Sequence, residues 1–300
     1  MTPNNNTKSS FTKKAASFAS IILKGLGQIM LQENQVTGFL FLVGIFYGSS
    51  IMGSAALLAT VCGTATAFLL KYDQSEIDKG LYGFSAALVG VALMLFLKPV
   101  VLSWILIIIG SPLATIIQHF FIKRKIPVFT LPFVLVTWAI ILFTRINFAD
   151  IMSVRPPVIV STINNLDFIF KGYGQVIFQD NLIAGLLFFI GVFISSPIAA
   201  LYGFAGGILS AIIAFNFSVP INDINIGLFS YNAVLCAIVF AGYQIKDGLW
   251  VLLSVLLSLF ISILMLKFNV IPLTFPFVLA SCVTLFFSIS LLYNQKANKM

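Results

Sequence analysis

The sequence predicts an all-α polytopic membrane protein: ten transmembrane helices plus two re-entrant helices in two inverted-topology repeats. Three observations carry this expectation. Composition comes first: of 300 residues, 60% are hydrophobic and 9% charged, and the mean hydropathy is +1.07. A soluble domain carries about 25% charged residues, and so few charges could not cover the surface of a soluble fold of this length. Second, apolar runs of roughly 16–22 residues follow one another with little pause, each near the ~20 that cross a bilayer as a helix. Third, the chain repeats itself, and each copy holds five such runs.

The elements fall in a plain order. A polar tail occupies 1–14, and a short, weakly amphipathic stretch occupies 15–32. Apolar spans follow near 36–51, 53–71, 80–97, 100–122 and 128–145, closing a first repeat over 15–145. A polar linker, 146–166, contains Pro156 and Pro157. The plan then restarts over 167–293, with a short stretch at 167–180 and spans near 182–197, 199–217, 226–243, 247–267 and 271–293. A second tail closes the chain at 294–300. The short stretches are too broken to be ordinary spans. Each is read as a re-entrant helix, which a membrane tolerates only where protein or a water-filled path surrounds it.

The repeat is explicit in the letters. GQIMLQEN (27–34) returns as GQVIFQDN (174–181), and GLYGFSAAL (80–88) as GLFSYNAVL (227–235), both 147 positions on. IPVFTLPFVL (126–135) returns as IPLTFPFVL (271–279), with Thr130 matched to Thr274. A repeat this long means two structural halves. Five spans per half is an odd number, so the second half enters the membrane upside down.

Charge placement sets orientation and excludes other classes. The net charge of +8 sits in tails and short loops, not in a groove, so no nucleic-acid partner is expected. With the N-terminus inside, the inner loops hold Lys71, Lys79, Lys123, Arg124, Lys125 and Lys246 together with both tails. The outer side holds Lys98, Arg145, Arg155, Lys171 and Lys267, so both termini are expected in the cytoplasm. No removable signal peptide is read at the N-terminus. Cys62, Cys236 and Cys282 lie singly in apolar segments, which points to core packing and to neither disulfide nor metal. His119, the one histidine, reads as a helix-end residue. No HExxH, GxSxG or phosphate-loop pattern occurs, and Ser85 and Ser230 have no base nearby in sequence, so neither an enzyme nor a cofactor is expected.

Polar groups at membrane depth mark a path. Gln28 and Gln175 lie in the repeated octets, glycines open the spans at 80 and 227, and Thr130 and Thr274 are each followed by proline (Pro132, Pro276). Proline removes a backbone donor, and it pushes the preceding residue towards extended geometry. VFTLPF and PLTFPF therefore read as helix starts at membrane depth with unpaired carbonyls, which are costly unless something polar passes by. A kink healed by a neighbouring helix would explain one copy; duplication beside threonine favours a path. Phe84 with Leu88, and Tyr231 with Leu235, lie four apart on one helix face. They form either the walls of a slot or ordinary helix packing. No Asp, Glu, Lys or Arg lies mid-span, so the solute is expected to be neutral and its movement passive.

The motifs GxGQVxFQxNxxxGxLxxxG, GLYGxNxxLxG and LPxFTxPF, each present twice in approximate form, resemble the urea transporter family over residues 22–293. The resemblance implies a homotrimer in a lipid bilayer, each protomer carrying its own urea channel with a narrow central filter. It implies that Gln28 and Gln175 face the filter with Leu31 and Phe178 beside them, that Phe84, Leu88, Tyr231 and Leu235 form the slot walls, and that Thr130 and Thr274 form the central constriction. Backbone oxygens near Tyr82–Ser85, Phe229–Asn232 and the two threonines would form acceptor ladders. Urea is planar and neutral, with N–H donors at its edges and one carbonyl acceptor. The membrane implied is a bacterial plasma (inner) membrane. Three departures stand out: Ser85 where the family has asparagine, Leu31 where it favours phenylalanine, and Ser230 in place of glycine. They lead to an expectation of altered discrimination between urea and its analogues. The alternative solutes are a short amide, ammonia or water; an ammonia pore would want paired histidines, and the chain has one.

Overall fold

A computed structural model describes residues 5–153, 167–217 and 219–297. Residues 154–166 of the expected linker, with Arg155, Pro156 and Pro157, and the outermost tail residues, with Lys299, lie outside the described residues. The first half runs α1 (Asn5–Gly27), α2 (Gln35–Gly48), α3 (Ser50–Leu69), α4 (Gln74–Asp78), α5 (Phe84–Phe96), α6 (Val101–Lys123) and α7 (Leu131–Asn147). The second runs α8 (Asp167–Gln175), α9 (Leu182–Ser195), α10 (Pro197–Asn216), α11 (Ile221–Asn225), α12 (Tyr231–Phe240), α13 (Ile245–Lys267) and α14 (Phe275–Ala297).

Among the described residues, α3, α6, α10 and α13 are each long and apolar enough to cross a bilayer. Five more helices are apolar but shorter, and the α1–α2 pair bends by 78° at its break. The chain is a multi-pass membrane protein, all-helical among the described residues. α6 and α13 carry exposed Ile109 and Phe260 on their outer faces, as helices bathed in hydrocarbon do.

Local sequence explains the breaks. Asn34 caps α2 by accepting from the backbone N–H of Val36 at 2.8 Å and of Thr37 at 3.2 Å, and Asn181 does the same for Ile183 and Ala184. Just before each cap the chain turns through a left-handed residue, Leu31 (φ 60°) or Phe178 (φ 58°). The buried amides Gln32 and Gln179 turn back onto Met30 O and Ile177 O, satisfying those tight turns. α1 crosses α2, and α8 crosses α9, backbone to backbone: a Cβ on Gly38 would sit 1.7 Å from Leu23 O, and one on Gly185 would sit 2.0 Å from Phe170 O.

The proline-marked segments begin helices as expected, but the geometry before the prolines is not extended. Thr130 has φ −92° and ψ 14°, and Leu131 is already helical, with Pro132 in the first turn of α7. The proline ring is preorganised for that first turn. The turn into the helix is taken one step earlier, by left-handed Phe129 (φ 47°) and Leu273 (φ 46°).

α5 and α12 form the centre. Every residue from Phe84 to Leu95 is buried, as is every residue from Tyr231 to Ile238. The halves meet through reciprocal contacts. Phe41 and Phe188, matched residues, stack edge to face at 5.1 Å; Gly44 lies under Phe188 and Gly191 under Phe41. Trp138 Nε1 donates to Ile271 O at 3.0 Å, and its match Cys282 approaches Pro127 O, the match of Ile271, at 3.3 Å.

Candidate functional site

Each half starts its central helix in the same way. Gly80 (φ +76°) and Gly227 (φ +82°) turn the chain in the left-handed region, and a Cβ there would lie 2.4 Å from Gly25 N or 2.5 Å from Gly172 N. Only glycine admits both the dihedral and the approach. The short helices α4 and α11, which the hydrophobic pattern did not reveal, deliver the chain into those turns. The result brings the end of α1 against the start of α5, where Gln28 Nε2 donates to Lys79 O at 3.0 Å.

Two cavities result. The first, of about 140 Å³, is lined by Gln28, Leu31, Phe84, Gln118, Phe129 and Thr130, with Ile29, Leu81, Ile122 and Phe277. The second, of about 380 Å³, is lined by Gln175, Phe178, Leu228, Tyr231, Leu266 and Leu273, with further residues of α5 and the α13–α14 connection. Gln28, Leu31, Leu81, Phe84, Ile122 and Phe129 match Gln175, Phe178, Leu228, Tyr231, Leu266 and Leu273 across the repeat. Neither wall includes an Asp, Glu, Lys or Arg. Phe84 opens α5 at the first cavity and Phe96 closes it at the second, about 18 Å along the helix axis. Tyr231, the matching start of α12, faces the second cavity.

Thr130 Oγ1 and Thr274 Oγ1 share a hydrogen bond of 2.6 Å, both buried. Thr130 lines the first cavity, and Leu273, beside Thr274, lines the second. The two cavities share no lining residue, and the hydroxyl pair links a wall residue of the first to the neighbour of a wall residue of the second. Leu88 and Leu235 line neither cavity; one turn deeper than Phe84 and Tyr231, they are fully buried in the main core. Of the ten residues singled out from the sequence, seven thus line the cavities, Thr274 pairs with Thr130, and the two leucines pack.

The carbonyls named as acceptor ladders already hold partners. Thr115 Oγ1 donates to Tyr82 O at 3.0 Å, and Ser210 Oγ donates to Phe229 O. Leu273 O accepts from the Tyr231 hydroxyl and, at 3.4 Å, from Asn232 Nδ2. Each carbonyl has two lone pairs, so Tyr82 O and Phe229 O keep one to offer, and Leu273 O is fully used. Asn232 Oδ1 also accepts from Phe277 N at 3.2 Å, which ties α12 to the start of α14.

Sequence reasoning passed over Gln118 and the partners of His119. Gln118, a buried amide near the end of α6, lines the first cavity and accepts from Ser85 Oγ at 3.2 Å. Nothing but its polarity in an apolar run could have flagged it. His119 stacks on Tyr72 with ring centroids 3.5 Å apart and meets the Tyr82 hydroxyl at 2.8 Å, while that hydroxyl also donates to Glu76. This cluster borders an open cleft with Lys71, Asp73 and Lys123. There the Ser75 hydroxyl and the Glu76 backbone N–H hold the Asp73 carboxyl below the usual carboxylate range.

Comparison with known proteins fits this geometry. The profile of the family described as urea transporter matches residues 19–289. Urea transporter 1 of Rattus norvegicus is 29% identical over 246 residues, 75% of this chain and 63% of that protein. The Mus musculus and Ovis aries proteins of the same name are each 29% identical, over 247 and 250 residues. The chain spans less than two thirds of the length of these relatives, 63% or 64%. With the match running through both repeated halves and both cavities, the chain belongs to the urea transporter family.

Proposed function

We propose that this protein carries urea passively across a bacterial inner membrane, through a channel in each protomer that joins the two cavities at the Thr130–Thr274 pair. The observation that carries the proposal is the pair of matched, uncharged cavities at opposite ends of α5, with a hydroxyl pair linking a wall residue of the first to the neighbour of a wall residue of the second. A charged solute would need compensating charges at such depth, and the polar side chains of these walls are amides and hydroxyls. A neutral, planar amide can exchange its water for those groups edge by edge, while Phe84, Phe178 and Tyr231 confine its faces. Lining donors, lining acceptors and pore width together set such selectivity.

The finer architecture belongs to the same proposal. Ten spans and two re-entrant helices form two inverted repeats, with both termini in the cytoplasm. The reciprocal contacts of the halves support it, as does the placing of the α5 and α12 starts at opposite cavities. Assembly as a homotrimer rests on the family resemblance.

The test is urea entry into proteoliposomes by stopped-flow light scattering, comparing wild type with the Thr130→Val, Thr274→Val double variant. Fast entry in wild type that falls at least about tenfold in the double variant is expected, because a solute at the constriction would lose two hydrogen-bonding groups at roughly 1 kcal/mol each. Folded wild type with no entry above empty liposomes would overturn urea and direct the assay to short amides, ammonia and water.

A further inference from the structure

We propose that Gln118 is a specificity-determining residue of the first cavity, donating its side-chain N–H groups to the carbonyl oxygen of an amide solute. The inference rests on the urea reading and deepens it. The first cavity has three polar side chains, and the structure fixes what each can offer. Gln28 commits one of its two Nε2 hydrogens to Lys79 O, and its carbonyl oxygen is an acceptor. Thr130 shares its hydroxyl with Thr274. Gln118 is the reverse of Gln28. Its Oε1 is held by the Ser85 hydroxyl, and among the described residues no group accepts from its Nε2. An amide N–H in so buried a position needs a partner. The cavity it borders is large enough to supply one, since about 140 Å³ far exceeds the ~10–15 Å³ that admits a water.

Gln28 and Gln118 together therefore present an acceptor oxygen and donor N–H groups. An amide solute carries the complement, N–H edges and a carbonyl oxygen. The second half has no equivalent arrangement. The residue matching Gln118 is Ser262, whose hydroxyl turns back onto Ser258 O at 2.8 Å. The residue matching Ser85 is Asn232, whose amide is spent at both ends on the backbone of Leu273 and Phe277. The short Ser85 side chain thus does not remove the amide from the first half. It holds one supplied by α6, with the donor end left for the solute.

A donor aimed at the carbonyl oxygen distinguishes urea from thiourea, whose sulfur is a poorer acceptor. Entry of both into proteoliposomes, measured on wild type and Gln118→Met, reads that distinction as a ratio. A general packing defect lowers both solutes alike and leaves the ratio where it was. The expected result is a urea-to-thiourea ratio that falls about fivefold, the worth of one ordinary hydrogen bond. A folded variant with the wild-type ratio would overturn the role of Gln118 and leave the urea reading standing. Wild type that admits no urea would overturn that reading and the inference with it. If the methionine variant is not monodisperse in detergent, Gln118→Leu reads the same ratio.

Discussion

At the scale of single residues, the two halves reach the same shape with different chemistry. Phe84 and Tyr231 are matched, yet only the tyrosine has a hydroxyl, and it donates to Leu273 O. That bond anchors the wall and takes one lone pair of Leu273 O, whose residue lines the second cavity. Tyr231→Phe should cost about 1 kcal/mol of stability, seen as a modest drop in melting temperature. It should also raise urea entry at least about twofold by freeing an acceptor, since fractions of a hydrogen bond already change rates by that factor. A fall in entry at preserved stability would mean that the hydroxyl itself serves the solute. Tyr82 O and Phe229 O show the same substitution of means, because Thr115 reaches the first from α6 and Ser210 reaches the second from α10. Of the four wall positions that the family resemblance implied, Phe84 and Tyr231 line the cavities, while Leu88 and Leu235, on the same helix faces one turn on, pack in the core. Gln118 and the carbonyl partners were not legible, because each depends on which helices lie side by side.

At the scale of elements, the apolar runs were readable and the breaks only partly so. Each of the ten runs carries one helix, but α5 and α12 begin four residues inside the runs read at 80–97 and about five inside 226–243. The lost turns are spent on the left-handed glycines and on the contact with α1 and α8. α4 and α11, five residues each, are too short to show a periodic pattern. α4 is set by a cap, Asp73 accepting from the N–H of Ser75 at 2.9 Å and of Glu76 at 3.2 Å. Because the turns at Gly80 and Gly227 are alike, Gly80→Ala and Gly227→Ala should destabilise alike, by roughly 3 kcal/mol or more. The left-handed dihedral alone costs about 1–2 kcal/mol, and the methyl meets backbone that cannot yield. Gly248→Ala is the control: its nearest neighbour would be the Tyr202 hydroxyl at 3.6 Å, and alanine in a helix gains roughly 0.5–1 kcal/mol. Thermal melts in detergent check all three. Equal stability of Gly80→Ala and wild type would mean that the first turn is not built this way.

At the scale of the whole molecule, the repeat makes a claim about sidedness that no single contact carries. The odd count of runs and the excess of Lys and Arg on one set of loops were legible from the letters. The reciprocal contacts between halves were not, because they pair residues about 150 positions apart. Lys123 and Lys267 end α6 and α13, matched helices of 23 residues, and both are exposed. Lys123 borders the open cleft beside His119, while Leu266, next to Lys267, lines the second cavity. If the halves are inverted, these two lysines lie on opposite faces of the membrane, whereas parallel repeats would put them on the same face. Single-cysteine variants Lys123→Cys and Lys267→Cys, in a background with Cys62, Cys236 and Cys282 replaced by serine, decide between the two. A membrane-impermeant maleimide applied to intact cells should label the variant at 267 at once. It should label the variant at 123 only after permeabilisation, because the cytoplasmic loops carry the surplus of Lys and Arg. Labelling of both from outside would end the inverted arrangement, and with it the reason for two matched cavities at opposite ends of α5.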